Sequence, residues 1–464
     1  MHGLVPDRRW LLTLTALALL TRLLWVLFVH PPGEYVFSDM GMYVKRATDL
    51  ATNGPRDGMR DLAWQAYGTH FLLALPMKLF GAGAPFRAAA VLWGLLGAAA
   101  VPLTYLLACR VVPTARLAKI AGVVALLWYP NLSTTGFFLS ETPFLCMQLL
   151  AVYWLVRVLQ EGVRAWPAGI AAALTFMLRP QSALFFALVF GLWLVNFRRL
   201  PWVRINQLLG VAVPLLLALA FSVWRYHSHT GRWDGIAENA NMNLTAGRCH
   251  NIVTQAFRSQ ADLKKSEKKD NTQDGRRVSL PGYRTLKQTF PDGHPLGLNA
   301  AMGSDTIRFV GYIGDPWIHK ALRQECYRRT GVLGQLQYSL VNLSLQWFIA
   351  RQWPDNSKNH QYFLPVAEAY RYLFLVIFLL PSLVGVGLGL ARWRRAPAAT
   401  LVALCLLTSM ILAAVFFGDV RLRTPYDPYA VILALLAIHW ARERWRGRKA
   451  ATLSTTRPPL DLPP

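Results

Sequence analysis

The segment WLLTLTALALLTRLLWVLFV, from Trp10 to Val29, decides the class of this protein. About 20 apolar residues are what a helix needs to cross the hydrocarbon core of a bilayer. The segment follows Arg8 and Arg9, is longer than the apolar core of a signal peptide, and ends without a small-residue cleavage site. We therefore expect a retained membrane anchor with a cytoplasmic N-terminus, in which the mid-span Arg22 needs a buried partner.

The composition extends this expectation to the whole chain of 464 residues. Hydrophobic residues make up 54% and charged residues only 16%, whereas a soluble domain carries about 25% charged residues. A net charge of +25 would suit a nucleic-acid binder, but the basic residues cluster in short loops between apolar runs, as in cytoplasmic loops of membrane proteins. We therefore expect a polytopic membrane protein that binds no nucleic acid.

The further apolar runs predict the topology. They are 67–80, 88–108, 117–130, 140–158, 166–178, 180–197, 205–226, 370–391, 398–417 and 429–441. The run 67–80 is too short for a straight span, and treating it as an interfacial or re-entrant helix places every basic cluster inside. The prediction is an all-α bundle of about ten transmembrane helices with both ends in the cytoplasm.

This topology divides the chain into four parts. Residues 1–226 form an N-terminal transmembrane module with an outer loop at 30–66, and residues 370–441 form the C-terminal transmembrane helices. Between them, 227–369 is predicted to be an α-rich extracytoplasmic domain, in which no strand ladder is recognisable. Residues 442–464 are predicted to be a disordered basic tail in the cytoplasm.

The segment 227–369 carries two of the five cysteines, Cys249 and Cys326. They can pair if the segment faces an oxidising compartment, and the sequence leaves this pairing open. The lysine-rich stretch Leu263–Arg277 is typical of a mobile loop. Metal-ligand spacings and nucleotide-binding loops are lacking in the sequence, so we expect no metal and no cofactor.

The motif FSDMGMY, from Phe37 to Tyr43, follows the first span directly. Asp39 and Tyr43 are four residues apart and share one face of a helix. One interpretation is structural, with Ser38 or Asp39 as a helix N-cap. The other is catalytic, with Asp39 as a general base at the outer mouth of the bundle. The two are compatible, because a cap can hold a carboxylate in place.

The motif GDVRLRTPYDP, from Gly418 to Pro428, lies between two late apolar runs. Arg421 and Arg423 suit a phosphate, because guanidinium binds phosphate oxygens as a fork and stays charged. The structural alternative is arginines that extend to the membrane interface. We favour phosphate binding because the turn is bounded by glycine and prolines, and we include Asp419 as a possible substrate contact.

Three more polar residues lie at membrane depth, where such groups usually mark function. Glu141 begins an outer helix, where it either serves the helix dipole or contacts a substrate. Arg179 needs an anion, which is Glu141, Asp39 or a lipid phosphate. His70, on the short helix 67–80, is a possible acceptor or phosphate contact, although a lone histidine is more often structural.

These motifs resemble those of bacterial GT-C glycosyltransferases in their order along the chain and in the side of the membrane on which they are predicted to lie. The resemblance is to the group related to protein O-mannosyltransferases and the lipid A aminoarabinose transferase. Asp39 and Tyr43 match a D-x-x-x-Y-like stretch in the first outer loop, and 67–80 matches the short apolar helix that follows it. Glu141 matches an acidic residue on a later outer turn. The motif at 418–428 resembles G-E-x-R-x-x-x-P-x-x-P.

The resemblance covers about 1–230 and 370–441 and has two departures. Asp419 stands where the family has glutamate, and Asp39 lacks the adjacent second acid of the eukaryotic protein mannosyltransferases. The segment 227–369 matches no part of the family, which leaves the acceptor open among protein, lipid and glycan.

The resemblance implies an inverting glycosyltransferase of the bacterial cytoplasmic membrane, with its active site on the outer side. Asp39 would be the base, and Arg421, Arg423 and Arg179 would bind the phosphate of a polyprenyl-phosphate-linked sugar. No metal would be needed. The alternatives are a transporter or flippase of a lipid-linked sugar, and a polymerase or ligase of surface polysaccharide.

Overall fold

The computed structural model describes residues 3–195, 205–249, 252–257, 259–262, 264, 305–312, 314–357 and 360–455. Ten helices precede the long polar segment. They are α1 (Arg8–Leu24), α2 (Asp39–Asn53), α3 (Gly68–Phe80), α4 (Arg87–Val111), α5 (Ala115–Leu127), α6 (Tyr129–Thr135), α7 (Glu141–Glu161), α8 (Trp166–Leu178), α9 (Ala183–Val195) and α10 (Ile205–Thr230).

The polar segment and the C-terminal part supply the remaining α-helices and the two strands of the described chain. They are α11 (Asn239–Arg248), β1 (Ile252–Phe257), β2 (Asp305–Val310), α12 (Pro316–Ser344), α13 (Leu364–Leu373), α14 (Leu380–Ala391), α15 (Pro397–Val415), α16 (Val420–Arg423) and α17 (Asp427–Thr455).

Six helical segments within the described residues are long and apolar enough to cross a membrane. They are Arg8–Glu34, Arg87–Val111, Glu141–Glu161, Ile205–Thr230, Leu364–Ala391 and Pro397–Val415. The other four predicted spans fall on α5, α8 and α9, of 13 residues each, and on α17. A 13-residue helix is about 20 Å long, short of the roughly 30 Å hydrocarbon core. The helical multi-pass membrane fold is confirmed, and length together with apolar composition supports six of the ten predicted spans.

The mid-span arginine of α1 finds its partners at the C-terminal end of α5. Arg22 is 2% exposed, and its guanidinium donates to the carbonyl oxygens of Leu126 at 2.6 Å and Ala125 at 3.0 Å. Terminal carbonyls of a helix have no partner within the helix, so this contact satisfies both groups.

The polar segment differs from its prediction in one element. Strands β1 and β2 pair in parallel, with Ile252 opposite Asp305. The segment is α-rich, as predicted, but it also holds these two strands, which the sequence analysis did not recognise because they are far apart in sequence and form no hairpin pattern. Cys249 and Cys326 form a disulfide with a Cα–Cα distance of 5.5 Å. Almost all of the predicted mobile loop Leu263–Arg277 lies outside the described residues.

The C-terminal tail also differs from its prediction. Helix α17 continues to Thr455, so the chain is helical well beyond residue 442, where a disordered tail was predicted. Most residues of this stretch, such as arginine, lysine, glutamate and alanine, are strong helix formers that extend the helix begun at Asp427. Residues 456–464 lie outside the described part of the chain.

The polar segment is fixed to the bundle beside the 418–428 turn. Asn342 of α12 donates its side-chain amide to the carbonyl oxygens of Gly247, at 3.1 Å, and Phe416, at 2.9 Å. At Gly418 a Cβ atom would lie 1.7 Å from the carbonyl oxygen of Asn342, so only glycine permits this approach. The contact holds the start of the turn that carries Asp419 and Arg421.

Candidate active site

Asp39 is the first residue of α2. The N-cap position belongs to Ser38, whose side chain makes no capping hydrogen bond and whose φ is 50°. The Asp39 carboxylate instead accepts a hydrogen bond from Nη1 of Arg421 at 3.0 Å, and its side chain is 38% exposed. The carboxylate therefore does not cap the helix, and it remains accessible to a ligand.

Arg421 connects three carboxylates. Its Nε lies 3.1 Å from Oε1 of Glu141, and its backbone N–H donates to Oδ1 of Asp419 at 2.7 Å, which makes Asp419 the N-cap of α16. Burial alone would lower the pKa of Arg421, but the charges of Glu141, Asp39 and Asp419 outweigh it and raise that pKa. Burial raises the pKa of Asp419 against the opposing charge of Arg421.

Glu141 also holds the second predicted arginine. Nη2 of Arg179 lies 2.6 Å from the same Oε1 atom, and its Nε donates to Oγ of Ser140 at 3.0 Å. Glu141 is one of the three anions that the sequence suggested for Arg179. Nη1 of Arg179 is buried without a hydrogen-bond partner among the described residues.

Tyr43 lies beside the same group. Burial raises the pKa of its hydroxyl to about 12, with further contributions from the charges of Asp39 and Glu141, while a hydrogen bond with Ser140 opposes the shift. We call Asp39, Glu141, Arg179, Asp419 and Arg421 the acid–arginine network. It joins the start of α2, the start of α7, the end of α8 and the turn 418–428, so these four segments lie at the same end of the bundle.

Arg423 does not belong to this network. It is fully buried, and its Nε lies 2.9 Å from Oδ1 of Asp427, which in turn accepts from Nε1 of Trp128 at 2.8 Å. Residues two apart on a helix point to opposite sides, so α16 directs Arg421 towards Asp39 and Arg423 into the bundle. This burial and pairing contradict the predicted role of Arg423 in phosphate binding.

His70 belongs to a second group of polar side chains on α2, α3 and α10. We call Arg46, His70, Arg225 and His229 the arginine–histidine cluster; they are 5%, 1%, 3% and 8% exposed. Both ring nitrogens of His70, Nε of Arg225 and Nδ1 of His229 are buried without a hydrogen-bond partner in the described chain. Burial, followed by the positive charges of Arg225 and Arg46, lowers the pKa of His70 well below 6.5, so the ring is neutral.

The two arginines of this cluster are held by neutral groups. Nη1 of Arg46 donates to the side chain of Gln65 at 2.9 Å. The guanidinium of Arg225 lies 3.9 Å from the ring centre of Tyr67 and donates to the carbonyl oxygen of Leu62. Within the described residues neither arginine forms an ion pair with a carboxylate. Burial lowers the pKa of Arg46, and the charges of Asp61 and Asp39 offset this effect only in part.

Sequence reasoning missed Arg46, Arg225 and His229, although the sequence carries signals for two of them. Arg46 follows Asp39 by seven residues and Tyr43 by three, so all three lie on one face of α2. Arg225 falls within the apolar run 205–226, where a charge needs a partner or a function. Among the described residues there is no group of three or more histidine, cysteine, aspartate or glutamate side chains that could hold a metal ion.

No protein-family model and no curated protein matches the chain. The fold is similar to the crystal structure of ArnT from Cupriavidus metallidurans bound to undecaprenyl phosphate, with 14% identity and a TM-score of 0.36 over 98% of this chain and 82% of that one. It is also similar to the apo state of ArnT, with 13% identity and a TM-score of 0.38 over 92% and 77% of the two chains. At these TM-scores the similarity is distant, so we take the chemistry of the site from this chain's own residues.

Proposed function

We propose that this chain is an integral-membrane glycosyltransferase that moves a sugar from a polyprenyl-phosphate donor to an acceptor hydroxyl, with inversion at the anomeric carbon. The multi-pass helical fold and the order of the sequence motifs support this proposal. The observation that carries it is the contact between Asp39 and Arg421, which brings together the two motifs on which the prediction rests.

In this proposal Asp39 is the catalytic base. Arg421 orients its carboxylate, and the partial exposure of the side chain lets an acceptor approach. The acceptor oxygen attacks the anomeric carbon and forms the new glycosidic bond, while its proton passes to Asp39. The bond from the anomeric carbon to the phosphate oxygen breaks, and polyprenyl phosphate leaves with the electron pair.

The donor phosphate is proposed to bind at the arginine–histidine cluster. Arg421 and Arg179, which the sequence analysis proposed for this task, already share Glu141, so a phosphate there would have to compete with a carboxylate. Arg46 and Arg225 are buried close enough for their like charges to act on each other, and neither has an ion-pair partner in the described chain, so an anion there would stabilise both. Their guanidinium groups can stabilise the charge that develops on the leaving phosphate.

The spacing along α2 fits this division of roles. Arg46 follows Asp39 by seven residues, which corresponds to about 10 Å along the helix axis. A sugar ring bound between the two positions would have the base on one side and the leaving phosphate on the other, as an inverting displacement requires. Because arginines supply the charge stabilisation, we propose a metal-independent reaction at the extracytoplasmic face of a bacterial inner membrane. The acceptor stays open.

The test is transfer by the full chain, purified in detergent and returned to lipid vesicles, with a radiolabelled polyprenyl-phosphate sugar and a cell-envelope extract as the acceptor source. We expect Asp39→Asn to lower transfer by about 1,000-fold or more and to leave donor binding within about twofold of wild type. The matched control is Asp49→Asn, on the same helix, where the carboxylate contacts Asn53 and Arg56.

The outcomes separate the candidate functions. Full turnover by the Asp39 variant would contradict its assignment as the base. Movement of intact donor across vesicles, without transfer, would indicate a flippase. Glycan-chain joining from a diphosphate-linked donor would indicate a polymerase or ligase.

A further inference from the structure

Residues 350–357, which follow the helical segment that ends at Ile349, are anchored to α6 by buried side chains. Gln352 donates to the carbonyl oxygen of Pro130 at 3.4 Å. Asp355 is fully buried and accepts from the hydroxyl groups of Tyr129, at 2.9 Å, and Ser133, at 2.7 Å. Hydrogen bonds on both sides of residue 353 therefore fix the loop against the bundle.

Trp353 is different from its anchored neighbours because its side chain is only partly buried. The guanidinium carbon of Arg421 lies 4.5 Å from the ring centre of Trp353. The ring of Phe37, two residues before Asp39, meets it in an edge-to-face contact with centroids 6.0 Å apart. The loop thus presents a large aromatic ring beside the residues to which we assign the chemistry.

Trp353 packs at the margin of a hydrophobic cluster that includes Met40 and Tyr43, so part of its ring has a structural role. Two other tryptophans show what a structural role looks like here, since Trp93 and Trp128 are 0% and 2% exposed and donate their indole N–H at 3.1 Å to Leu139 and at 2.8 Å to Asp427. Trp353 instead keeps part of its ring exposed at a charged site. Exposed aromatic rings in binding sites usually supply rigid contact area for a ligand.

We propose that Trp353 is a specificity-determining residue that packs against the ring of the transferred sugar. A sugar ring has an apolar face of C–H groups, which an aromatic ring covers well, and its hydroxyl edge can meet Asp39 and Arg421. The contact would orient the anomeric carbon between the acceptor and the arginine–histidine cluster. This inference rests on the proposed function and adds the chemical class of ligand that Trp353 recognises, namely the sugar ring of the donor.

The test compares two ligands, polyprenyl phosphate with and without its sugar, on wild type, Trp353→Ala and Trp353→Phe. We expect Trp353→Ala to weaken binding of the sugar-bearing donor by about tenfold, because aromatic packing of this kind is worth about 1 kcal/mol or somewhat more. Binding of the sugar-free lipid should stay within about twofold. Trp353→Phe, which keeps an aromatic face, should recover most of the loss.

Trp224→Ala is the matched control, because this tryptophan is 55% exposed on α10 and contacts Phe221. Equal losses for both ligands in Trp353→Ala would overturn the inference. Trp353 would then act only by holding Arg421 in place or by stabilising the fold. Unchanged binding of both ligands would overturn it too. If the wild-type protein binds neither ligand, the proposed function itself fails. This result differs from the two outcomes above, which concern the Trp353→Ala variant alone.

Discussion

Two groups of arginines lie near Asp39, and they differ in what neutralises them. In the acid–arginine network, Arg421 and Arg179 face three carboxylates, and Glu141 contacts both arginines. In the arginine–histidine cluster, Arg46 and Arg225 are held by an amide, a carbonyl and an aromatic ring, beside a neutral His70. The first group has no net positive charge to offer a ligand, whereas the second group does.

This difference shows that an arginine in a suggestive motif is not by itself a phosphate site. Paired arginines hold carboxylates in position, and a single buried arginine such as Arg22 is satisfied by carbonyl oxygens. Arg46 and Arg225 differ from both cases, because two like charges are buried together without a carboxylate partner among the described residues, which favours an anion between them. Folding tolerates such unmet charges mainly where function needs them. We therefore assign orientation of the base to the first group and phosphate binding to the second.

The largest change in affinity for polyprenyl phosphate is expected from a substitution in the arginine–histidine cluster. Arg225→Leu should weaken binding of polyprenyl phosphate by about 100-fold, because it removes a buried charge-assisted contact worth about 3 kcal/mol. Filter binding or calorimetry with the sugar-free lipid measures this effect. Arg56→Leu is the control, since Arg56 is 44% exposed and pairs only loosely with Asp49. Wild-type affinity in Arg225→Leu would contradict the assignment of phosphate binding to the arginine–histidine cluster.

Arg421→Lys should lower kcat by about tenfold while the affinity for polyprenyl phosphate stays near wild type. Lysine keeps the charge but cannot contact Asp39 and Glu141 together as a planar fork does. Arg421 is thus a positioning residue, and the split between kcat and donor affinity is its signature. A fall in affinity with unchanged kcat would instead make Arg421 a phosphate ligand.

Glu141→Gln should have the opposite effect to Arg225→Leu and increase the affinity for phosphate. It removes the charge that neutralises Arg421 and Arg179, so the affinity for inorganic phosphate or polyprenyl phosphate should rise by about threefold while transfer slows. Titration at low and at high ionic strength checks that the gain is electrostatic. An affinity that falls would show that Glu141 does not hold these arginines back from a ligand.

The smallest effect is expected at the N-cap of α16. Asp419→Asn should change activity by less than about twofold, because asparagine caps a helix about as well as aspartate. Asp419→Ala should lower stability by about 1 kcal/mol, which a thermal melt measures. A large loss of activity in the asparagine variant would show that the charge of Asp419 acts on a substrate.

Much of this arrangement follows from the sequence. Asp39 follows the first span, and the turn at 418–428 lies between two late spans. The ends of the apolar runs place both on the same side of the membrane, which was enough to predict that they meet. The roles of Arg421 and Arg423 were not predictable, since residues two apart on a short helix face opposite ways and only packing decides which of them is buried. Strands β1 and β2 escaped prediction because their pairing is non-local.

The most direct test of this account is a cryo-electron microscopy map of the full chain with polyprenyl phosphate bound. We expect phosphate density within hydrogen-bond distance of the Arg46 and Arg225 guanidinium groups, with the Asp39–Arg421 contact intact. Phosphate density on Arg421, with Asp39 displaced and the arginine–histidine cluster empty, would contradict it.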